Sequence, residues 1–304
     1  MADAGAPEYL PPAHGFLGLE PAEAGPPESA GAIVIPFGLE RSVSYGRGTA
    51  GGPAAILAAS RQVELFDEEL WCEAFRQYGI ATLAEPSIPC IVTEALDALE
   101  ATVQQVAAAG RLPLVLGGEH SITAAAVRPF ARQHADLVIL HFDAHADLRD
   151  GYDGEPYSHA AALRRCLDWP HVSLVSLGIR SISAAEIGFL DANRHRIHLH
   201  WARERGSWQL DDVLAPLAGR PVYLTVDVDV FDSSLMPATG TPEPGGLCWD
   251  DVLPAIRRAA ASGTIVGADI TELAPRDGLH ACDFLAARLA YKILNYALAT
   301  PRGR

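Results

Sequence analysis

Four apolar, β-prone runs in this chain each break off into acids or histidines, and that recurrence constrains the fold more than any other feature. LPLVL leads into Gly117-Gly118-Glu119-His120-Ser121, and VILHF into Asp143-Ala144-His145-Ala146-Asp147. VYLTV leads into Asp227-Val228-Asp229, and IVGADIT into Glu272-Leu273-Ala274-Pro275. Stretches of helical periodicity separate the runs. Strands alternating with helices predict an α/β fold with a mostly parallel sheet. In such a sheet, sites form outside the carboxyl ends of the strands, which is where these acids and histidines stand.

The rest of the chain fits the same alternation. An apolar run over 32–36 precedes a glycine-rich loop, and Pro53 opens a helix running towards Leu65. Helical spacing over 94–109 stops at Gly110. Further helices are expected near 183–193, 249–261 and 282–299, with strands at SLVSLGIR and RIHLH. Residues 1–30, rich in Ala, Pro and Gly, are expected to form an extended N-terminal arm, and 31–304 a single domain. With 49% hydrophobic and 20% charged residues, there is enough apolar material for a core of that size.

Composition excludes several partner classes. No apolar run approaches the ~18 residues of a membrane helix, and the N-terminus lacks the basic and apolar regions of a secretory signal. The net charge of −15 disfavours nucleic acid and anionic membranes and mildly favours a cationic substrate. The five cysteines are scattered with no CxxC, as expected of reduced thiols in a cytoplasmic protein.

Side chains at i, i+2 and i+4 of an extended segment point the same way. Asp143, His145 and Asp147 can therefore converge, as can Asp227 and Asp229. Four carboxylates packed together raise one another's pKa unless a cation compensates. With His120 the set holds two imidazoles and four carboxylates, too many for one zinc ion and suited to two divalent ions with two carboxylates bridging. The oxygen-rich, cysteine-free donor set points to Mn2+ over Zn2+. His141, two residues before Asp143 on the same strand face, is expected to be a packed or hydrogen-bonded group behind the ligands and receives no role of its own. His195, His198 and His200 lie on or near a peripheral strand without carboxylates and receive no role.

GGEHS, DAHAD, DVDVFDSSLMPATGTPEPGGL and ELAP, together with SVSYGRGTAGGPAAI, resemble the ureohydrolases: arginase, agmatinase and their relatives. The resemblance spans roughly residues 30 to 300. It implies a three-layer α/β/α sandwich, two Mn2+ per subunit and a homo-trimer or homo-hexamer. By motif, one ion is held by His120, Asp143, Asp147 and Asp227, the other by Asp143, His145, Asp227 and Asp229, with Asp143 and Asp227 bridging. The implied reaction is attack of a metal-bridging hydroxide on a guanidinium carbon, giving urea and an amine. Glu272 matches the acid that pairs with the guanidinium, His159 the histidine that passes a proton to the leaving amine, and Thr241 a substrate-proximal threonine.

DAHADLRDGY, YSHA, SVSYGRGT and VELFDEEL look most like bacterial and archaeal agmatinases, implying cleavage of agmatine to putrescine and urea. Arginases carry an Asn after DAHxD that helps bind the α-carboxylate, where this chain has Arg149. They also carry an acid for the α-amine, where it has Ser181, Ile182 and Ser183. Arg149 leaves open a guanidino substrate with an acidic tail, such as 4-guanidinobutanoate. Two other classes also fit the architecture: a catalytically silent assembly protein and a mononuclear zinc hydrolase of deacetylase type.

Overall fold

The computed structural model describes residues 8–300. Its strands are β1 (Ala32–Phe37), β2 (Phe66–Asp67), β3 (Cys72–Glu73), β4 (Ile80–Thr82), β5 (Leu112–Gly117), β6 (Val138–Phe142), β7 (Ser173–Ile179), β8 (Ile197–Trp201), β9 (Pro221–Asp227) and β10 (Thr264–Thr271). Eight of them form one sheet in the order β4-β1-β5-β10-β9-β6-β7-β8, and β2 and β3 form a small antiparallel hairpin. All pairings in the large sheet are parallel. The four runs ending in acids and histidines are thus its contiguous centre, β5, β10, β9 and β6. Leu116 stands opposite Ile270, Ile270 opposite Val226, and Val226 opposite Phe142. The four strands therefore end level, and the segments that follow leave the sheet at one height.

Both faces are covered, as the near-continuous apolar strands require. Alternate residues of β5 and β1 face opposite ways: Leu114, Leu116 and Val34 pack with the helices Gly52–Ser60, Trp249–Ser262 and His280–Leu298. Val115, Ile33 and Ile35 pack with Val92–Ala108 and Ile122–Gln133. The result is an α/β/α arrangement with the core split by the sheet. Local chemistry sets helix ends as expected. Pro53 lies in the first turn of Gly52–Ser60, a Ser183/Glu186 capping box opens Ala184–Ala192, and Gly110 follows Val92–Ala108 with φ 70°.

The N-terminal segment departs from expectation. Residues 1–7 lie outside the described residues. The remainder does not extend from the body as an arm; it runs along it in short helical turns, with Phe16, Leu17 and Leu19 buried. The N–H of Phe16 donates to Thr82 Oγ1 (2.9 Å) and that of Leu17 to Ser60 Oγ (2.9 Å). Three large apolar side chains, each worth about 1.5–3 kcal/mol on burial, outweigh the Pro/Gly composition that suggested an extended arm. β4 and the β2–β3 hairpin are too short to show a period in the sequence. Among the described residues, no helix is long and apolar enough to cross a membrane.

Candidate metal centre and substrate cavity

Two poles of donors meet above the sheet centre. At the first, His120 Nδ1 lies 3.0 Å from Asp147 Oδ2, 3.2 Å from Asp143 Oδ2 and 3.5 Å from Asp227 Oδ2. At the second, His145 Nδ1 lies 3.0 Å from Asp229 Oδ2 and 3.4 Å from Asp143 Oδ1. Asp143 is common to both. Asp227 joins the first pole by Oδ2, and its Oδ1 accepts the backbone N–H of Asp229 (2.8 Å). All six residues singled out as ligands are thus brought to one place, and all but His145 are buried.

The donor set can be tested against a cation. His120 Nε2 sits 2.9 Å from Thr225 Oγ1, while its buried Nδ1 makes no hydrogen bond despite three carboxylate oxygens around it. With the ring proton on Nε2, a bare lone pair on Nδ1 faces three carboxyl oxygens. Lone pairs crowded in this way repel one another, and the crowding is relieved by protons or by a positive ion among the donors. His141 is different. Its Nε2 meets Asp143 Oδ2 at 2.8 Å and its Nδ1 meets Ser176 Oγ at 2.9 Å, so both nitrogens are engaged and the ring braces Asp143.

The titration behaviour reflects the crowding. Burial, then the charge of Asp143, pushes Asp147 up to about 7. Burial, then Asp229, Asp143 and Glu272, raises Asp227 well above the usual range. Burial also acts on Asp143, but the rings of His120, His141 and His145 around it overcome that and hold the carboxyl well below its ordinary value. Burial opposes a charged His145, yet Asp229 and Asp143 outweigh it and raise its pKa.

Glu272 follows β10 directly. Its Oε1 accepts the N–H of His120 (2.7 Å), and its own N–H donates to Gly118 O (2.8 Å). Burial pushes its carboxyl up to about 8 even though the N–H of His120 pulls it down. Glu272 and Asp147 both hold left-handed φ, 65° and 52°. Such non-glycine conformations cost about 1–3 kcal/mol and persist where surrounding contacts impose them. Thr241 Oγ1 is 3.5 Å from Asp229 Oδ2.

A cavity of about 640 Å³, mouth included, opens over the donors. Asp147, Asp227 and Glu272 line its buried end, with His159 on the wall. Arg149, Tyr152, Ser181, Ile182 and Ser183, all half-buried, line the outer part. The Arg149 guanidinium lies 5.0 Å from the centre of the Tyr152 ring and has no ion-pair partner among the described residues. Its neighbour Asp150 is taken by Arg165 (2.5 Å) and Arg164 (3.5 Å).

Sequence reasoning missed the groups that hold this arrangement. The Arg180 guanidinium donates to the carbonyls of Asp229 (2.6 Å), Glu243 (2.9 Å) and Gly178 (3.1 Å), tying β7 to the loops bearing Asp229 and Thr241. Glu186 accepts the N–H groups of Leu148 (2.8 Å) and Ser183 (2.6 Å), anchoring the segment after Asp147. Gly118 passes so close to Leu39 that a Cβ there would lie 2.1 Å from Leu39 O. Only glycine admits that approach, and it brings the loop after β1 beside Glu119.

A family model described as "Arginase family" matches residues 30–295. An N(1)-aminopropylagmatine ureohydrolase of Synechocystis is 35% identical over 280 residues, covering 88% of this chain and 89% of the relative. An agmatinase of Bacillus subtilis is 34% identical over 257 residues, covering 82% of this chain and 85% of the relative. The crystal structure of the agmatine ureohydrolase of Thermoplasma volcanium matches with a TM-score of 0.81 at 31% identity, covering 90% of this chain and 92% of that one.

Proposed function

The chain belongs to the arginase family, and we propose that it hydrolyses agmatine to putrescine and urea with two Mn2+ ions per subunit. The observation that carries the metal reading is His120 Nδ1, buried and unbonded among the oxygens of Asp143, Asp147 and Asp227. One ion would take His120, Asp143, Asp147 and Asp227, the other Asp143, His145, Asp227 and Asp229. Donors that are mostly carboxylate with two imidazoles suit Mn2+. When bound, such a pair makes hydroxide available near neutral pH and offsets the charge of the clustered acids.

The chain's own residues bind and orient the substrate. Glu272 has one carboxylate oxygen held by the His120 N–H, which leaves the other to accept N–H groups of a guanidinium. An ion pair in a buried pocket places the guanidinium carbon over the donors and keeps it there. His159, on the cavity wall, delivers a proton to the departing amine as the C–N bond breaks. Water adds to the carbon, the amine leaves protonated, and urea remains. Thr241, beside Asp229, lines the substrate's path.

The agmatine assignment is supported by the likeness to the Bacillus subtilis agmatinase and the Thermoplasma volcanium agmatine ureohydrolase, and by the net charge of −15, which attracts a cationic chain. A second reading rests on Arg149. Its unpaired guanidinium on the outer cavity wall suits an acidic tail, as in 4-guanidinobutanoate. Urea release by Mn2+-loaded protein would be measured over agmatine, N(1)-aminopropylagmatine, 4-guanidinobutanoate and arginine, alongside metal content. A kcat/KM lead for agmatine is expected. A lead for 4-guanidinobutanoate replaces that substrate with the acidic one, and one zinc per chain without manganese stimulation overturns the two-ion reading.

The remaining expectations are also proposals. The enzyme acts in the cytoplasm as a homo-trimer or homo-hexamer, with residues 31–304 as its single catalytic domain. Sedimentation analysis tests the oligomer.

A further inference from the structure

The segment after β1, the turn after β5 and the loop after β6 are stitched together at one hydroxyl. Glu119 is fully buried, and its carboxylate accepts four hydrogen bonds. The N–H groups of Arg41 and Ser42 both reach Oε2 at 2.6 Å, while the hydroxyls of Ser121 (2.6 Å) and Ser42 (2.9 Å) reach Oε1. Ser42 Oγ in turn accepts the backbone N–H of His159 at 2.9 Å and lies 3.2 Å from His159 Nδ1.

Proton counting decides what the last contact is. A serine hydroxyl has one hydrogen and two lone pairs. A carboxylate oxygen only accepts, so the Ser42 hydrogen goes to Glu119. Ser42 then faces His159 with lone pairs alone. Its contact with Nδ1 is attractive only when Nδ1 carries the hydrogen. Ser158 Oγ, 3.3 Å from the same nitrogen, offers a second acceptor. With Nδ1–H held there, the free lone pair sits on Nε2, and the hydrogen bond at one ring nitrogen sets the role of the other.

We infer that Ser42, oriented by Glu119, is a positioning residue for His159, fixing its tautomer and aim so that Nε2 takes up and returns the proton. The inference rests on the reading that His159 protonates the leaving amine. Glu119 and Ser42 touch neither substrate nor ions; they act through the imidazole. The same hydroxyl also ties the His159 backbone to the β5 turn, so ring and main chain are held by one group.

The test is a double-mutant cycle on the Mn2+-loaded protein. Ser42→Ala is expected to lower kcat about tenfold with KM and metal content unchanged, and Ser42→Thr, which keeps the hydroxyl, to restore most of it. In a His159→Asn background, Ser42→Ala is expected to have no further effect, because residues acting as a unit are not additive. Wild-type kcat in Ser42→Ala, or the same tenfold loss in both backgrounds, overturns the inference. Should the alanine variant not fold, Ser42→Cys fills the space with a weak acceptor and must show the same loss that vanishes in His159→Asn. If the wild type releases no urea from any guanidino compound, the proposed function falls and this inference with it. Turnover that is indifferent to Ser42 removes the inference alone.

Discussion

Thr225 Oγ1 lies 2.9 Å from His120 Nε2, on the side of the ring away from the carboxylates. Behind it, Thr123 Oγ1 is 3.3 Å from Thr225 Oγ1 and donates to Asp269 Oδ2 at 2.9 Å, where the Tyr223 hydroxyl also donates at 2.9 Å. Every member is fully buried. By accepting Nε2–H, Thr225 keeps Nδ1 bare for a cation. Groups of this kind behind a metal ligand typically contribute 10–100-fold in metal affinity. Thr225→Val keeps the shape and removes the acceptor, so Mn2+ affinity is expected to fall about tenfold. Calorimetric titration of the metal-free protein reads this directly, and unchanged affinity would show that the tautomer is set elsewhere.

Metal loading should depend steeply on pH. Before a cation arrives, burial and Asp143 hold Asp147 up at about 7, and burial with Asp229 and Asp143 raises Asp227 well above its usual range. A carboxyl with a raised pKa keeps its proton on the acidic side of that value, and a divalent ion must displace it. Affinity is therefore expected to rise from pH 6 to pH 8, with protons released on binding. Titrations in two buffers of different ionisation enthalpy count those protons; a count of zero at pH 6.5 would contradict the carboxyl assignment.

Glu272→Gln separates substrate binding from metal binding. The amide oxygen can still accept the His120 N–H, while the charge facing the guanidinium is lost. A charge-assisted hydrogen bond contributes about 2 kcal/mol, so kcat/KM is expected to fall roughly 30-fold with two metals per chain retained. Steady-state kinetics together with metal analysis checks both halves.

Arg149→Ala decides between tails. With agmatine as substrate, removing a cation from the outer wall is expected to leave kcat/KM unchanged or raise it two- to threefold. With an acidic tail, the loss of a paired guanidinium is expected to cost at least tenfold, mostly in KM. Running both substrates on the same variant gives opposite signs for the two readings.

The strand-end acids were legible because they follow from local rules. Asp143, His145 and Asp147 follow an apolar strand directly, which marks them in the sequence; their convergence is set by the loop, because β6 ends at Phe142 and Asp147 holds a left-handed φ of 52°. His141 was readable as a packed or hydrogen-bonded group, and the structure supplies its partners, Ser176 and Asp143. Phe16 and Leu17 were hidden by their Pro- and Gly-rich surroundings, since their partners Thr82 and Ser60 lie far along the chain.

By itself, then, the sequence determined the alternation of strands and helices, the side of the sheet where chemistry gathers and the donor types on offer. These are properties of short segments, dictated by backbone period and side-chain polarity. Only the tertiary structure decided that β5, β10, β9 and β6 lie side by side and end level, because strand order depends on crossovers that no local pattern encodes. It also decided that Arg180 would clamp backbone carbonyls, which every residue carries and no residue advertises. The meeting of Glu119, Ser42 and His159 came from it too, with Ser42 and His159 separated by 117 positions and brought together where three loops close over one end of the sheet.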